Sequence, residues 1–227
     1  MRTEIIYRPS YSLAVVKLDS GESIQVEGGA MVGMTPGMQM ETKARGGFLK
    51  SLTRSVLGGE SFFMNTYTAP ASGGEIMLAP SLPGDIAELA LKGETVMVQS
   101  GSYIASSPGI EVDTSWSGAK GFFGGEGFIL LKVTGTGTLL VSSYGAIHPI
   151  ELASKQKIVI DTGHLVTFDS TLDFQVRRVA GWKSTLFSGE GLVVELTGPG
   201  RLTVQTRSER AFLSWLIPHL PKQGGSS

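Results

Sequence analysis

The chain has 227 residues, 41% hydrophobic and 17% charged, with 19 Lys+Arg against 20 Asp+Glu for a net charge of -1. A chain of this length buries roughly 70% of its unfolded surface and folds without staples, and its near-neutral total gives no reason to expect nucleic acid as a global partner. The lack of cysteine excludes disulfides, thiolate metal sites and a cysteine nucleophile, and it fits a reducing cytoplasm.

The N-terminus, Met1-Arg2-Thr3-Glu4, has no apolar stretch long enough for a signal peptide, and no run of 18 apolar residues follows anywhere. An alternating strand around Ile24 and Val26 ends at Gly29. A strand opening at Gly58-Gly59-Glu60 and a glycine turn at 72–76 complete a first unit, about 1–84. The same landmarks recur in a second unit, about 85–149: a strand around Val96 and Val98, Gly124-Gly125-Glu126, and a turn at 134–138. They recur again in a third, about 150–207: a strand around Ile158 and Ile160, Gly189-Glu190, and a turn at 197–201. The glycines Gly74, Gly137 and Gly200 are 63 residues apart both times. The expected fold is all-β, a single compact unit over 1–221 made of three internal repeats of about 65 residues in a pseudo-threefold arrangement. Phe128 to Val133 is apolar on both faces, so a second sheet or another subunit should cover it, and a homo-oligomer is expected. Ser208 caps a predicted helix over 208–217, which Pro218 stops, and 222–227 read as a disordered tail.

The chain carries no phosphate loop, no G-x-S-x-G elbow and no H-E-x-x-H, so no catalytic motif is recognisable and no cofactor is implied. Gly135-Thr-Gly137 and Gly198-Pro-Gly200 lack the third glycine of a dinucleotide fingerprint and read as hairpin turns. Asp161 and His164 are close enough in sequence to pair as an acid/base couple beside a pocket, or to serve as a turn aspartate and a hydrogen-bonded histidine. The repeat places Glu60, Glu126 and Glu190 at equivalent positions. Three carboxylates about an axis suit a hard cation, and each equally suits capping its own glycine turn or pairing with a nearby cation.

Several runs together resemble a known family. They are Gly28-Gly-Ala-Met31, Leu57-Gly-Gly-Glu-Ser-Phe-Phe-Met-Asn65, Pro83-Gly-Asp-Ile86, Val159-Ile-Asp-Thr-Gly-His164 and Gly198-Pro-Gly200 with Gln205-Thr-Arg207. The pattern is similar to the altered-inheritance-of-mitochondria protein 24 family, found in bacteria and mitochondria. The resemblance implies three β units like the tryptophan RNA-binding attenuation protein, within the double-stranded β-helix class, and no established reaction. Mitochondrial relatives are associated with inner-membrane organisation. With no Arg-rich, acid-poor leader in its sequence, this chain is expected to be a bacterial cytosolic member.

The connection before each Gly-Glu landmark mixes basic and bulky apolar residues. The first holds Lys43, Arg45, Phe48, Leu49, Lys50, Leu52 and Arg54; the second Trp116, Lys120, Phe122 and Phe123; the third Arg177, Arg178, Trp182 and Lys183. Eight of the 19 basic residues lie there, and a threefold arrangement would gather them at one end. Such an end suits anionic lipid headgroups or an acidic protein partner, or else its apolar residues fill the barrel end and its charges are solvated. The expectation is therefore a non-enzymatic oligomeric assembly or binding protein, cytoplasmic or peripheral at a membrane. The alternatives are a sensor or enzyme with a β-barrel pocket near His164, and single-stranded RNA binding, for which the strands carry few interleaved basic and aromatic residues.

Overall fold

The computed structural model describes residues 1–42, 64–113, 128–178 and 192–221. Within them lie seventeen strands and one α-helix. The N-terminal segment supplies β1 (Arg2–Ile6), β2 (Leu13–Leu18), β3 (Ser23–Glu27), β4 (Met31–Met34), β5 (Gln39–Thr42), β6 (Met64–Thr68) and β7 (Gly74–Leu78). The middle segment supplies β8 (Ile86–Gln99), β9 (Tyr103–Ser106), β10 (Ile110–Asp113) and β11 (Leu130–Ser142). The C-terminal segment supplies β12 (Ile147–Leu152), β13 (Lys157–Asp161), β14 (Leu165–Asp169), β15 (Asp173–Arg178), β16 (Leu192–Thr197), β17 (Gly200–Gln205) and α1 (Glu209–Leu216).

The N-terminal segment makes four characteristic antiparallel pairings: β2 with β7, β3 with β6, β5 with β6, and β4 with β7. The C-terminal segment makes β12–β17, β13–β16, β15–β16 and β14–β17. In the middle segment two long strands do the work of four. β8 pairs along β11 in two stretches, Ile86–Lys92 against Thr136–Ser142 and Thr95–Gln99 against Leu130–Thr134, and β10 and β9 also pair with β11. Segments are joined edge to edge: β9 adds to β3, and β14 adds to β8. The result is a ten-stranded sheet through all three segments, flanked by a four-stranded sheet β1-β2-β7-β4 and a three-stranded sheet β13-β16-β15.

The alternation read at Ile24 and Val26 is realised, since both point into the N-terminal core while Ser23, Gln25 and Glu27 are half-buried. The turn expected at 134–138 is not a reversal. β11 runs straight through it, with only a register shift between Thr134 and Thr136. Gly135 and Gly137 have φ of 135° and 145°, and a Cβ at Gly135 would run into the carbonyl oxygen of Gly109. These glycines thus let β10 approach β11 closely and accommodate the register shift within a strand that stays in the ten-stranded sheet throughout. At Gly198-Pro199-Gly200 the chain turns from β16 into β17, but the expected hairpin is not formed: β16 lies between β13 and β15 and β17 between β12 and β14, so the turn carries the chain from one sheet to another.

The stretch from Phe128 to Val133 also needs correction as a ground for oligomerisation. Phe128 and Leu130 enter the C-terminal core, while Leu131 and Val133 enter the middle core, so this chain itself covers both faces. The predicted helix is present, with Ser208 accepting from the Ala211 amide at 3.4 Å. The proposed tail over 222–227 lies outside the described residues.

Candidate interaction surface

Of the basic and aromatic positions singled out from the connections, only Arg177 and Arg178 fall among the described residues. Both are exposed at the end of β15, and Arg177 reaches Glu195 at 3.5 Å across the strand pair. Lys43, Arg45, Phe48, Leu49, Lys50, Leu52, Arg54, Trp116, Lys120, Phe122, Phe123, Trp182 and Lys183 lie outside them, as do Glu60, Glu126 and Glu190. The strands that bracket these connections are described. The first leaves β5 and returns as β6, where Thr42 faces Asn65. The second leaves β10 and returns on β11, where Asp113 faces Lys132. The third leaves β15 and returns as β16, where Arg178 faces Leu192. Each connection thus closes one antiparallel strand pair of the same kind.

Asp161 and His164 do not form a couple. The Asp161 carboxylate accepts from the Gly163 amide at 2.7 Å, capping the short 3₁₀ turn that leads into β14. His164 Nδ1 lies 2.8 Å from the Gln205 carbonyl oxygen. The Gln205 side chain in turn accepts from the Tyr144 amide at 2.7 Å and donates to the Gly163 carbonyl at 2.8 Å. This network fastens the turn to β17, which is the bracing reading of the histidine. A cavity of about 100 Å³, lined by Met97, Lys132, Phe168 and Phe174 among others, lies at the junction of the middle and C-terminal segments. That is below the roughly 300 Å³ at which small-molecule sites begin, and His164 is not part of its lining. Among the described residues no cluster of three or more His, Asp and Glu could hold a metal ion.

A polar cluster that sequence reading did not find joins the first two segments. Arg8 donates to both carboxylate oxygens of Asp85 at 2.8 and 2.9 Å; the Ser12 hydroxyl and the Ile86 amide donate to Oδ1 at 2.9 and 2.8 Å. Asp85 is 4% exposed. Burial alone would push its pKa up, and the hydrogen bonds from Arg8, Ser12 and Ile86 outweigh it, holding the carboxyl below the usual 3.8. Nothing local signals this pair, because Arg8 and Asp85 are 77 residues apart.

Among the described residues, large apolar side chains are exposed at Tyr7, Tyr11, Met40 and Val159 and in two strips. On and just beyond α1, Leu213, Trp215, Ile217 and Leu220 are exposed, Trp215 by 61%. The ring of Phe212 packs edge-on against Tyr144 and anchors the helix to the body. On β4, Met31, Val32 and Met34 are exposed, Val32 by 58%.

Sheets that run from segment to segment, with exposed apolar strips on the described surface, define an all-β protein. The mitochondrial biogenesis AIM24 family model matches residues 3–207, and the chain belongs to that family. An uncharacterised protein of Streptococcus pyogenes serotype M6 is 28% identical over 229 residues, covering 97% of this chain and 92% of the relative. A crystal structure of a Streptococcus pyogenes protein superposes with a TM-score of 0.82 at 27% identity, over 96% of this chain and 99% of that one. No helix among the described residues is long and apolar enough to cross a membrane.

Proposed function

We propose that this is a non-enzymatic assembly protein: three repeated β units, arranged like those of the tryptophan RNA-binding attenuation protein, that form a homo-oligomer at the surface of an anionic membrane from the cytoplasmic side. The observation that carries the reading is that the three basic, aromatic-rich connections close strand pairs of the same kind, β5–β6, β10–β11 and β15–β16. Recurrence of the same four pairings in each segment supports the threefold repeat, and units related by rotation would present their connections together. Eight basic residues gathered at one end would attract anionic headgroups, each contributing on the order of 1 kcal/mol near the surface. The exposed Trp215, Ile217 and Leu220 supply the kind of apolar side chain that settles into a headgroup layer.

The test is flotation with vesicles of phosphatidylglycerol and phosphatidylcholine. Binding at low salt, lost at high salt and in a Lys50→Glu, Arg54→Glu double variant, is the expected result. No flotation at low salt refutes the membrane and redirects the basic end to an acidic protein partner.

A further inference from the structure

Two strand edges stand apart from all others in this fold. Among the described residues, the sheet edges at β5, β10 and β15 pair with no further strand in any of the three segments. The edges that join segments behave differently. At the first junction, β9 of the middle segment adds to β3, with Ser106 opposite Gln25 and Ala105 opposite Val26. At the second, β14 of the C-terminal segment adds to β8, with Phe168 opposite Met97 and Thr167 opposite Val98. The counterparts of these strands at the two ends of the chain are β4 and β13; among the described residues β4 pairs only with β7 and β13 only with β16.

The correspondence is position by position. β4, β9 and β14 each pair with the last strand of their own segment through a shifted register: Met31 with Leu78 and Gly33 with Met77; Tyr103 with Val141 and Ala105 with Leu140; Leu165 with Val204 and Thr167 with Thr203. This makes Val32, Ile104 and Val166 counterparts. Likewise the glycine-bounded blocks align Ile24 with Val96 and Ile158, and Val26 with Val98 and Ile160. In these terms the two internal junctions have one and the same register. Carried to the free ends, it places Gly33 opposite Ile160 and Met34 opposite Val159.

Burial distinguishes the filled junctions from the unfilled one. Ile104 is fully buried in the N-terminal core and Val166 in the middle core, so each plugs the segment before its own. Val32, their counterpart, is 58% exposed. On the receiving side Val26 and Val98 are fully buried, whereas Ile158 and Ile160 are only partly buried against the C-terminal core, and Val159 is 48% exposed. Among the described residues, the C-terminal core therefore lacks the plug that the other two possess. β4, Met-Val-Gly-Met, also carries neither a charge nor a proline to discourage edge pairing.

We propose that β4 of one copy adds antiparallel to β13 of a second copy, with Met34 opposite Val159 and Val32 seated against Ile158 and Ile160. This rests on the homo-oligomeric reading above and names the surface that makes it. The occupant is a second copy because the chain itself displays, twice, the complementary strand in the complementary register. The contact is heterologous, each copy using its β4 on one neighbour and its β13 on the other, so it propagates until a ring closes.

The absence of native cysteine makes the test clean. Met34→Cys and Val159→Cys variants are purified separately and oxidised alone and mixed, and the products are read on a non-reducing denaturing gel. Only the mixture should give a covalent dimer. The Val32→Asp variant, at a position already exposed and so expected to keep its melting temperature, should scatter light as a 24.0 kDa monomer at concentrations where the native chain does not. A native chain that is itself monomeric at high concentration overturns both this proposal and the oligomeric reading. A native oligomer that survives Val32→Asp and gives no mixed disulfide overturns the proposal alone. A dimer from Met34→Cys by itself, or an internal cross-link at monomer mass in a chain carrying both Met34→Cys and Val159→Cys, would refute head-to-tail pairing.

Discussion

Replacing Asp85 by alanine should be among the most damaging single changes in the N-terminal half. The carboxylate is the acceptor for the Ser12 hydroxyl and the Ile86 amide, in a place where Ser12 and Ile86 are almost completely buried. Each donor left without a partner costs about 1–3 kcal/mol. The lost pairing with Arg8 adds little, because that guanidinium is half-exposed and returns to water. The sum is about 2–6 kcal/mol, read as a fall in the urea midpoint at pH 7 with an unchanged slope. Asparagine at the same position keeps an acceptor for Ser12 and Ile86 and loses only the ion pair, so it should cost about 1 kcal/mol. The pH dependence follows from the depressed carboxyl. Its stabilisation is fully present above the ordinary value of 3.8 and drains away as the pH falls below that toward the folded-state value. Between pH 5 and pH 3 the Asp85→Asn variant should therefore lose less stability than the native chain. An alanine variant within 0.5 kcal/mol of native, or an asparagine variant as damaged as the alanine one, would refute the cluster's role.

Gly135→Ala should lower stability by more than the ~1 kcal/mol expected for Gly21→Ala, since both have positive φ but only at Gly135 does a new Cβ meet backbone, that of Gly109 and Ile110; paired thermal melts would show it. Ser208→Ala removes the cap on α1 and should weaken the helix by about 1 kcal/mol, visible as faster limited proteolysis after Arg210 with the sheet's melting temperature unchanged. Trp215→Ala, at an exposed position, should leave stability within about 0.5 kcal/mol while reducing vesicle flotation.

Glycine spacing and apolar alternation carried much of this fold on their own. The strands around Ile24, Val96 and Ile158, the change of direction at 197–201 and the capped helix at Ser208 all follow from signals within a dozen residues, though the 197–201 turn links two sheets rather than closing a hairpin. Gly135 and Gly137 misled because a glycine with positive φ serves a hairpin and a kinked, closely approached strand equally well. Phe128 to Val133 announced that both its faces were covered, but only the long course of β11 shows that two cores of the same chain cover them. Nor could sequence tell a filled junction from an empty one. Val32, Ile104 and Val166 are alike as letters and differ only in what lies beside them. Of the proposed contact residues, Arg177 and Arg178, read as part of a connection, lie instead on the exposed end of β15, while the Arg8–Asp85 cluster depends on a long-range meeting that no local pattern encodes.

The way β8 and β11 are shared gives the molecule a mechanical hierarchy. Each terminal segment hydrogen-bonds to the middle one, and among the described residues no strand of the first pairs with a strand of the third. The middle segment is thus the keystone: its two long strands, clasped along two stretches and flanked on both sides, should exchange their amide hydrogens last, while the outer strands β1 and β15 fray first. Pulled from its ends, such a chain would shed its terminal segments before the centre yields.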